Sequence, residues 1–219
     1  ESITPLTSRG MKKLWDISPP VQPGSPVFPG DTPYQQQWSA TLGPTCPVNV
    51  STLTLSPHVG AHADAPLHYD PEGASVGELD LAPYLGPCRV IHAIGVGPLI
   101  QWQQLAHAID QLPPRVLVRT YPRMPVDRWD PDLAAFAPQT IERLAALGVL
   151  LVGIATASID PADSKTLDAH QVIRRLNLRV LENLVLDEVP EGDYELIALP
   201  LKLMTADASP VRAVLRELA

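Results

Sequence analysis

Proline is the residue that most restricts how this chain can fold. There are 25 prolines among 219 residues, and they are spread along the sequence instead of being gathered in one tract. Each proline fixes its own φ angle and lacks a backbone N–H donor, so it interrupts helices and central strands. The distribution predicts many short elements joined by stiff turns. The proline-rich residues 19–33 are expected to form an ordered but irregular loop.

The spacing of apolar residues predicts both strands and helices. Alternation or continuous apolar runs indicate strands, and they occur in residues 11–18, 48–55, 89–94, 116–119 and 147–154. Apolar residues three and four positions apart indicate helices, and they occur in residues 100–112, 138–147, 168–176 and from Pro210 onward. Two further apolar runs, 184–186 and 195–202, flank a predicted hairpin turn at 190–193. The pattern predicts a single α/β domain over residues 11–219 with a mixed β-sheet core and surrounding helices.

Composition excludes several classes of protein. The net charge is −8 and no run of Lys or Arg could follow a phosphate backbone, so nucleic acid is not an expected partner. The apolar runs are far too short to span a bilayer, and two cysteines make no disulfide framework. We therefore expect a soluble, cytoplasmic protein without membrane contact. Residues 1–10 are interpreted as a tag remnant, because Met11 and the strand after it look like a natural start.

One short segment concentrates residues that bind metals. His58, His62, Asp64 and His68 occupy even positions, so they would project to one side of an extended chain. Taken singly, each histidine could be an ordinary hydrogen-bonded residue, and an aspartate before a proline could be a turn residue. However, three of only six histidines fall within eleven residues, together with a carboxylate. Imidazole and carboxylate are the usual ligands of zinc and similar ions, so the cluster predicts a metal site.

The other candidate residues lie outside this segment. His92 is expected in the core with its ring hydrogen-bonded, and His107 is expected to be exposed. From the local sequence, His170 could be a surface residue near a helix start or a ligand, and Glu182 is equally open.

The pattern His58-x-Gly60-x-His62-x-Asp64-x-Pro66-x-His68 resembles the signature of the cyclase-like metal-dependent hydrolases, the family that contains the bacterial kynurenine formamidases (arylformamidases). The resemblance covers nearly everything from residue 11 onward, and its further motifs are residues 14–20, 28–33, 84–92 and 193–202. Where formamidases of this family have Asp-Thr-Pro-Ser after an apolar strand, this chain has Ala155-Thr156-Ala157-Ser158. The substitution affects a loop near the site and leaves the predicted ligands intact.

The resemblance implies a swivelling β/β/α fold of the cyclase-like type, with a barrel-like mixed sheet. It also implies two divalent metal ions per subunit, usually zinc, with manganese as an alternative. Its implied ligands are His58, His62 and Asp64 for the first ion and His170 for the second, with Asp64 and Glu182 bridging both. His68 then corresponds to the proton donor and acceptor, and Phe28 to an aromatic residue that stacks against the substrate.

The activity that the resemblance implies is hydrolysis of N-formyl-L-kynurenine to L-kynurenine and formate, a step of tryptophan degradation by the kynurenine pathway, through a hydroxide that two metal ions activate. It also implies a homodimer or higher homo-oligomer, with residues 19–33 reaching a neighbouring active site. Two alternatives stay open: a related hydrolase that opens a cyclic amide such as isatin, and a non-catalytic metal-binding protein.

Overall fold

The structure, a computed structural model, describes residues 12–218; the predicted tag remnant lies outside them. Within this range, nine of thirteen strands form one mixed sheet in the order β1-β13-β11-β5-β7-β9-β10-β4-β12. Two small two-stranded sheets, β2–β3 and β6–β8, stand apart from it. The strands are β1 (Leu14–Asp16), β2 (Gln35–Ala40), β3 (Val50–Thr54), β4 (His62–Asp64), β5 (Leu85–His92), β6 (Leu99–Ile100), β7 (Arg115–Arg119), β8 (Ala135–Phe136), β9 (Leu151–Ile154), β10 (Arg179–Glu182), β11 (Gly192–Ile197), β12 (Ala208–Pro210) and β13 (Val214–Arg216).

The centre of the main sheet is parallel and covered on both faces. Strands β5, β7, β9 and β10 run parallel to one another, and all four residues of β9 are buried. Apolar strands of this kind need cover on each side. One side carries a cluster that includes Leu117, Leu181 and Leu196, and the other carries a cluster that includes Phe136 and Ile141.

Two α-helices pack on the second cluster. They are α1 (Pro138–Ala146) and α2 (Asp168–Arg175), and they confirm the helices predicted at 138–147 and 168–176. Helix α1 begins with a proline at its first position, where the missing N–H costs nothing. It buries Ile141 and Leu144, one turn apart, on the face that meets the sheet. The predicted α/β class, with a mixed sheet and helices against it, is confirmed.

The helix predicted for residues 100–112 is wrong. Only two 3₁₀ turns form there, at Trp102–Gln104 and Ala106–Ala108. An α-helix would need the carbonyl of Ile100 to accept from Gln104. That carbonyl instead accepts from the N–H of Ala137 and from the hydroxyl of Thr140. Tertiary pairing therefore overrides the helical spacing in this segment.

The helix predicted from Pro210 onward is also wrong. This part of the chain forms the end of β12 and all of β13, which lies between β1 and β11. Leu215 is completely buried in the sheet, so its apolar side chain serves strand packing instead of a helix face.

The hairpin predicted around residues 190–193 is wrong as well. Residues 184–186 are not a strand: the N–H of Leu184 bonds to Ile154 and that of Val185 to Ile17, as a buried connection. Strand β11 starts at Gly192 and pairs with β5 and β13 instead. The strand predicted at 48–55 exists as β3, but all of its residues are exposed, so the expected buried face is absent.

The predicted irregular loop at 19–33 is confirmed, since it contains turns and bends but neither helix nor strand. No helix among residues 12–218 is both long and apolar enough to cross a membrane.

Candidate metal centre

The candidate ligands meet on and around the short strand β4. All three residues of β4 are buried, and the strand pairs with β10 on one side and β12 on the other. His62 and Asp64 belong to this strand, whereas His58 precedes it in a turn and His68 ends a 3₁₀ turn at Pro66–His68. The expectation of one continuous extended segment is therefore wrong, because Gly60, with a φ of +64°, turns the chain before the strand begins.

The turns nevertheless bring the three histidine rings together. The ring centroids of His58 and His62 are 5.0 Å apart, and those of His58 and His68 are 4.3 Å apart.

Asp64 is the common neighbour of these side chains. Its Oδ1 lies 3.1 Å from Nδ1 of His58 and 3.4 Å from Nε2 of His62. Both distances are short, yet within the described part of the chain this buried oxygen has no hydrogen-bond partner of acceptable geometry. A buried carboxylate oxygen without a partner is costly in a folded protein. A cation between the oxygen and the two nitrogens would satisfy it, so the donor set fits a metal ion.

The two distant candidates, His170 and Glu182, are brought to the same place. Helix α2 carries His170, whose Nε2 lies 3.2 Å from Oδ2 of Asp64. Strand β10 pairs with β4 so that Glu182 is opposite His62, and its Oε1 lies 3.2 Å from Nε2 of that ring. The other oxygen of Glu182 is 3.9 Å from Nε2 of His170. Both oxygens of Asp64 and both oxygens of Glu182 thus face imidazole nitrogens.

Hydrogen bonds on the far side of two rings fix which nitrogen faces the cluster. Nδ1 of His62 donates to the carbonyl of Gly60 at 2.9 Å, and Nδ1 of His170 donates to Asp160 at 2.7 Å. In each ring, Nε2 therefore faces the cluster. Metal-binding histidines are usually oriented in this way, by a hydrogen bond from the ring nitrogen that does not bind the metal. Asp160 also accepts the N–H groups of Ala169 and His170 at the start of α2, so it holds both the helix and the ring.

The electrostatics of the cluster favour positive charge. Burial lowers the pKa of His58, but the neighbouring carboxylates of Asp207 and Asp64 outweigh this effect and raise the pKa to about 10. Burial also lowers the pKa of His170, but contacts with Asp160 and Asp64 outweigh this effect and raise the pKa to about 10. Burial would raise the pKa of Asp64, but the contacts with His170 and His58 hold it well below its usual value. Carboxylates that draw protons onto neighbouring histidines form a site where a cation can replace those protons.

The negative charge of Glu182 is unfavourable in its buried position, and a metal ion would stabilise it. Burial raises the pKa of Glu182, and the negative charge of Asp64 raises it further. Two buried carboxylates facing each other repel unless positive charge lies between them.

Asp207, which sequence reasoning did not identify, links the cluster to His68. Its Oδ2 accepts from Nε2 of His58 at 2.8 Å and from Nδ1 of His68 at 2.9 Å. These two hydrogen bonds hold the pKa of Asp207 far below its usual range, and the bond with His58 has the larger effect.

A cavity of about 450 Å³ opens over these side chains. His58, His62, His68, His170 and Glu182 line its floor. The rest of the lining is mostly apolar, and in it Phe28 packs edge-to-face against Trp129 with centroids 5.2 Å apart. Ala155 and Ala157 also line the cavity. An apolar cavity with polar groups converging at one end is the usual form of a small-molecule site.

Each predicted site residue therefore lines this cavity except Asp64, which is completely buried next to the histidines that line it. Sequence reasoning missed Asp160, Asp207 and Trp129, which also belong to the site. Of the other two histidines, His92 has the expected ring hydrogen bond, from Nε2 to the carbonyl of Val189, but it is only partly buried and does not lie in the core. His107 is exposed beside Glu191, as predicted.

Comparison with known proteins gives the family. The model of the family described as putative cyclase matches residues 15–161, and the chain belongs to this family. Within it, the chain is 76% identical over 209 residues to the kynurenine formamidase of Paracidovorax citrulli, covering 94% of this chain and 97% of that protein. It is 69% identical to the kynurenine formamidase of Bordetella pertussis, covering 95% of this chain and all (100%) of that protein. The resemblance drawn from the sequence motifs is confirmed.

Solved structures agree on the fold. A predicted metal-dependent hydrolase from Bacillus stearothermophilus is 28% identical with a TM-score of 0.80, covering 95% of this chain and 100% of that one. An isatin hydrolase bound to thioisatinate has a TM-score of 0.82, covering 94% of this chain and 93% of that one. Because it is only 22% identical, it establishes the shared fold and no more.

Proposed function

We propose that this protein hydrolyses N-formyl-L-kynurenine to L-kynurenine and formate in tryptophan degradation by the kynurenine pathway. The observation that carries the proposal is the cluster of histidines and carboxylates at the floor of an aromatic-walled cavity. Its polar end suits a formamide carbonyl, and its apolar wall suits an aryl ring. High identity to kynurenine formamidases along nearly the whole chain supports the same substrate.

We further propose that the cluster holds two divalent ions, with zinc as the expected metal and manganese as the alternative. His58, His62 and Asp64 would hold the first ion and His170 the second, with Asp64 and Glu182 between them. Such ions would supply a nucleophilic water at neutral pH and Lewis-acid polarisation of the formyl carbonyl. Nitrogen and oxygen ligands of this kind suit zinc but also accept manganese.

His68 has the position for the proton transfer that the reaction needs. Hydrolysis breaks the bond between the formyl carbon and the aniline nitrogen, and the departing nitrogen must gain a proton. Nδ1 of His68 is bound to Asp207, so Nε2 is the nitrogen available to the cavity. Histidine can take up and release a proton near neutral pH, which suits it to act as a general acid and base here.

Phe28 and Trp129 have the position for holding the aryl ring of the substrate. Their rings meet edge-to-face in the cavity wall, which leaves aromatic surface toward the cavity. Stacking against such a surface would orient the formamide toward the floor.

A direct comparison of two substrates tests the proposed activity. We expect N-formyl-L-kynurenine to be hydrolysed with a kcat/KM at least about 10²-fold above that for isatin, because the site must reject a ring-closed amide by shape and orientation. The same metal-loaded preparation is assayed with both, following kynurenine and isatinate by absorbance. A preference for isatin would overturn the proposed substrate, and no turnover of either would favour a non-catalytic metal-binding protein.

We also propose a homodimer, in which the sheet of β2 and β3 contacts a second copy. This hairpin stands apart from the main sheet and exposes Trp38 and Leu53, which are 60% and 51% accessible. Exposed apolar side chains of this size on one small sheet support an interface. The cytoplasm is the proposed location, a reducing compartment that suits the unpaired Cys46 and Cys88.

Light scattering tests the proposed dimer. We expect wild-type protein to have the mass of two chains, and Trp38→Ser with Leu53→Ser to shift it toward one. Leu147→Ser, at an exposed position at the end of α1, is the control and should leave the mass unchanged. A wild-type monomer at assay concentrations would contradict the proposal.

A further inference from the structure

We infer that Asp207 is a positioning residue, which orients His58 and His68 together through one carboxylate oxygen. The inference rests on the proposed function and deepens it, because it concerns how a proposed metal ligand and the proposed proton-transfer group are oriented relative to each other. Oδ2 of Asp207 lies 2.8 Å from Nε2 of His58 and 2.9 Å from Nδ1 of His68.

The backbone places Asp207 rigidly beside the cluster. It directly precedes β12, whose Ala208 is opposite Asp64 in the antiparallel pairing with β4. The carbonyl of Asp207 accepts the N–H of Ala65 at 2.8 Å. The same strand pairing that fixes Asp64 thus also fixes Asp207, so the two carboxylates keep a constant separation from the rings between them.

The shared oxygen determines the tautomers of both rings. A carboxylate oxygen only accepts hydrogen bonds, so Nε2 of His58 and Nδ1 of His68 must both carry hydrogens. The free nitrogen of His58 is then Nδ1, which lies 3.1 Å from Asp64 in the cluster. The free nitrogen of His68 is Nε2, on the side of the cavity. One residue therefore directs a ligand nitrogen to the metal site and a proton-transfer nitrogen to the substrate.

Other partners for these two nitrogens are absent from the described part of the chain. The hydrogen bonds there give Nε2 of His58 and Nδ1 of His68 no acceptor besides Asp207. His62 and His170, in contrast, are oriented by Gly60 and Asp160. Each of the four rings at the centre thus has an outer acceptor, and Asp207 serves two of them.

Asp207→Asn is the informative variant, because it keeps the shape and removes the double acceptor. An amide has one acceptor oxygen and a donor group, so at least one ring loses its partner or takes the other tautomer. Asp207→Glu keeps the carboxylate and should recover part of each effect. Asp163→Asn, at an exposed loop position, is the matched control and should behave as wild type. Thermal melting of all variants checks that the fold is retained.

The first measurement needs no turnover. Zn²⁺ affinity is measured by competition with a chromophoric chelator, and we expect Asp207→Asn to bind about 10- to 100-fold more weakly, the usual effect of losing a partner of a ligating histidine. Affinity equal to that of wild type would overturn the role at His58. Because this result does not depend on the substrate, it stands even if N-formyl-L-kynurenine proves not to be hydrolysed.

The second measurement isolates the role at His68. At saturating Zn²⁺, kcat is measured for N-formyl-L-kynurenine and for p-nitrophenyl formate, whose p-nitrophenolate leaves without being protonated. We expect kcat to fall about 10²-fold or more for the formamide and clearly less for the ester, with little change in KM for either, because only the anilide needs a correctly directed proton. Equal losses for both substrates, or none, would overturn the role at His68. Absence of formamide turnover by wild-type protein would instead count against the proposed function.

Discussion

Asp64→Ala is expected to abolish both metal binding and hydrolysis. Among residues 12–218, Asp64 is the one side chain that faces His58, His62 and His170 at once, and one of its buried oxygens has no hydrogen-bond partner there. Removing it takes away the shared carboxylate between two groups of nitrogen donors. Metal ions supply several kcal/mol of transition-state stabilisation, so we expect a loss on the order of 10³-fold or more in kcat/KM.

Metal content and turnover are measured on the same Asp64→Ala sample, by elemental analysis and by formate release. Asp187→Ala provides a carboxylate control, because Asp187 bonds only to the backbone N–H of Met124 in the described chain. It should keep its metal. Wild-type metal content in Asp64→Ala would contradict the assignment of Asp64 as a shared ligand.

His68→Ala is expected to keep its metal and lose most of its turnover. His68 is at the edge of the cluster, partly exposed, with Nδ1 bound to Asp207 and the rest of the ring on the cavity. General acid and base catalysis by such a group contributes about 10²- to 10⁴-fold, and kcat should fall by that amount.

A competing role for His68 is ligation, since it forms with His58 and Asp64 a group close enough to hold an ion. The metal content of His68→Ala separates the two roles. Full content with lost activity supports proton transfer, whereas loss of an ion equivalent would make His68 a ligand. His107→Ala, an exposed histidine beside Glu191, is the control and should retain both properties.

The candidate ligands that lie close together in sequence could be predicted from the sequence. His58, His62, Asp64 and His68 are close in sequence, and turns at Gly60 and Pro66 bring them together although the segment is not one extended strand. Local patterning left His170 and Glu182 open, because their places depend on α2 and on the pairing of β10 with β4. Only resemblance to a family indicated them as ligands.

The residues that orient the rings could not be predicted in this way. Asp207 is 139 positions from His68, and it reaches the site through the pairing of β12 with β4. Nothing in its own neighbourhood distinguishes it from a surface aspartate. Asp160, ten residues before His170, had a local signal as a carboxylate near a helix start, but its bond to the ring depends on the loop between them.

The errors in the fold prediction have the same origin. Residues 100–112 have helical spacing of apolar residues, yet the carbonyl of Ile100 accepts hydrogen bonds from Ala137, just before α1, and from Thr140, within α1. The segment after Pro210 has apolar residues that suit a helix, but it supplies the strand between β1 and β11. In both segments, long-range hydrogen bonds decide against the local pattern. Helices α1 and α2 were predictable because their apolar faces and their packing agree.

We propose that metal ions in the cluster around Asp64 drive hydrolysis of an aryl formamide. Formate release from N-formyl-L-kynurenine is therefore measured for one wild-type sample as purified, after removal of metal by a chelator, and after addition of Zn²⁺, with metal content measured at each stage. We expect activity to disappear with the metal and to return as about two equivalents of ion per chain are restored, as a two-metal site requires. Undiminished formate release from rigorously metal-free protein would contradict the claim.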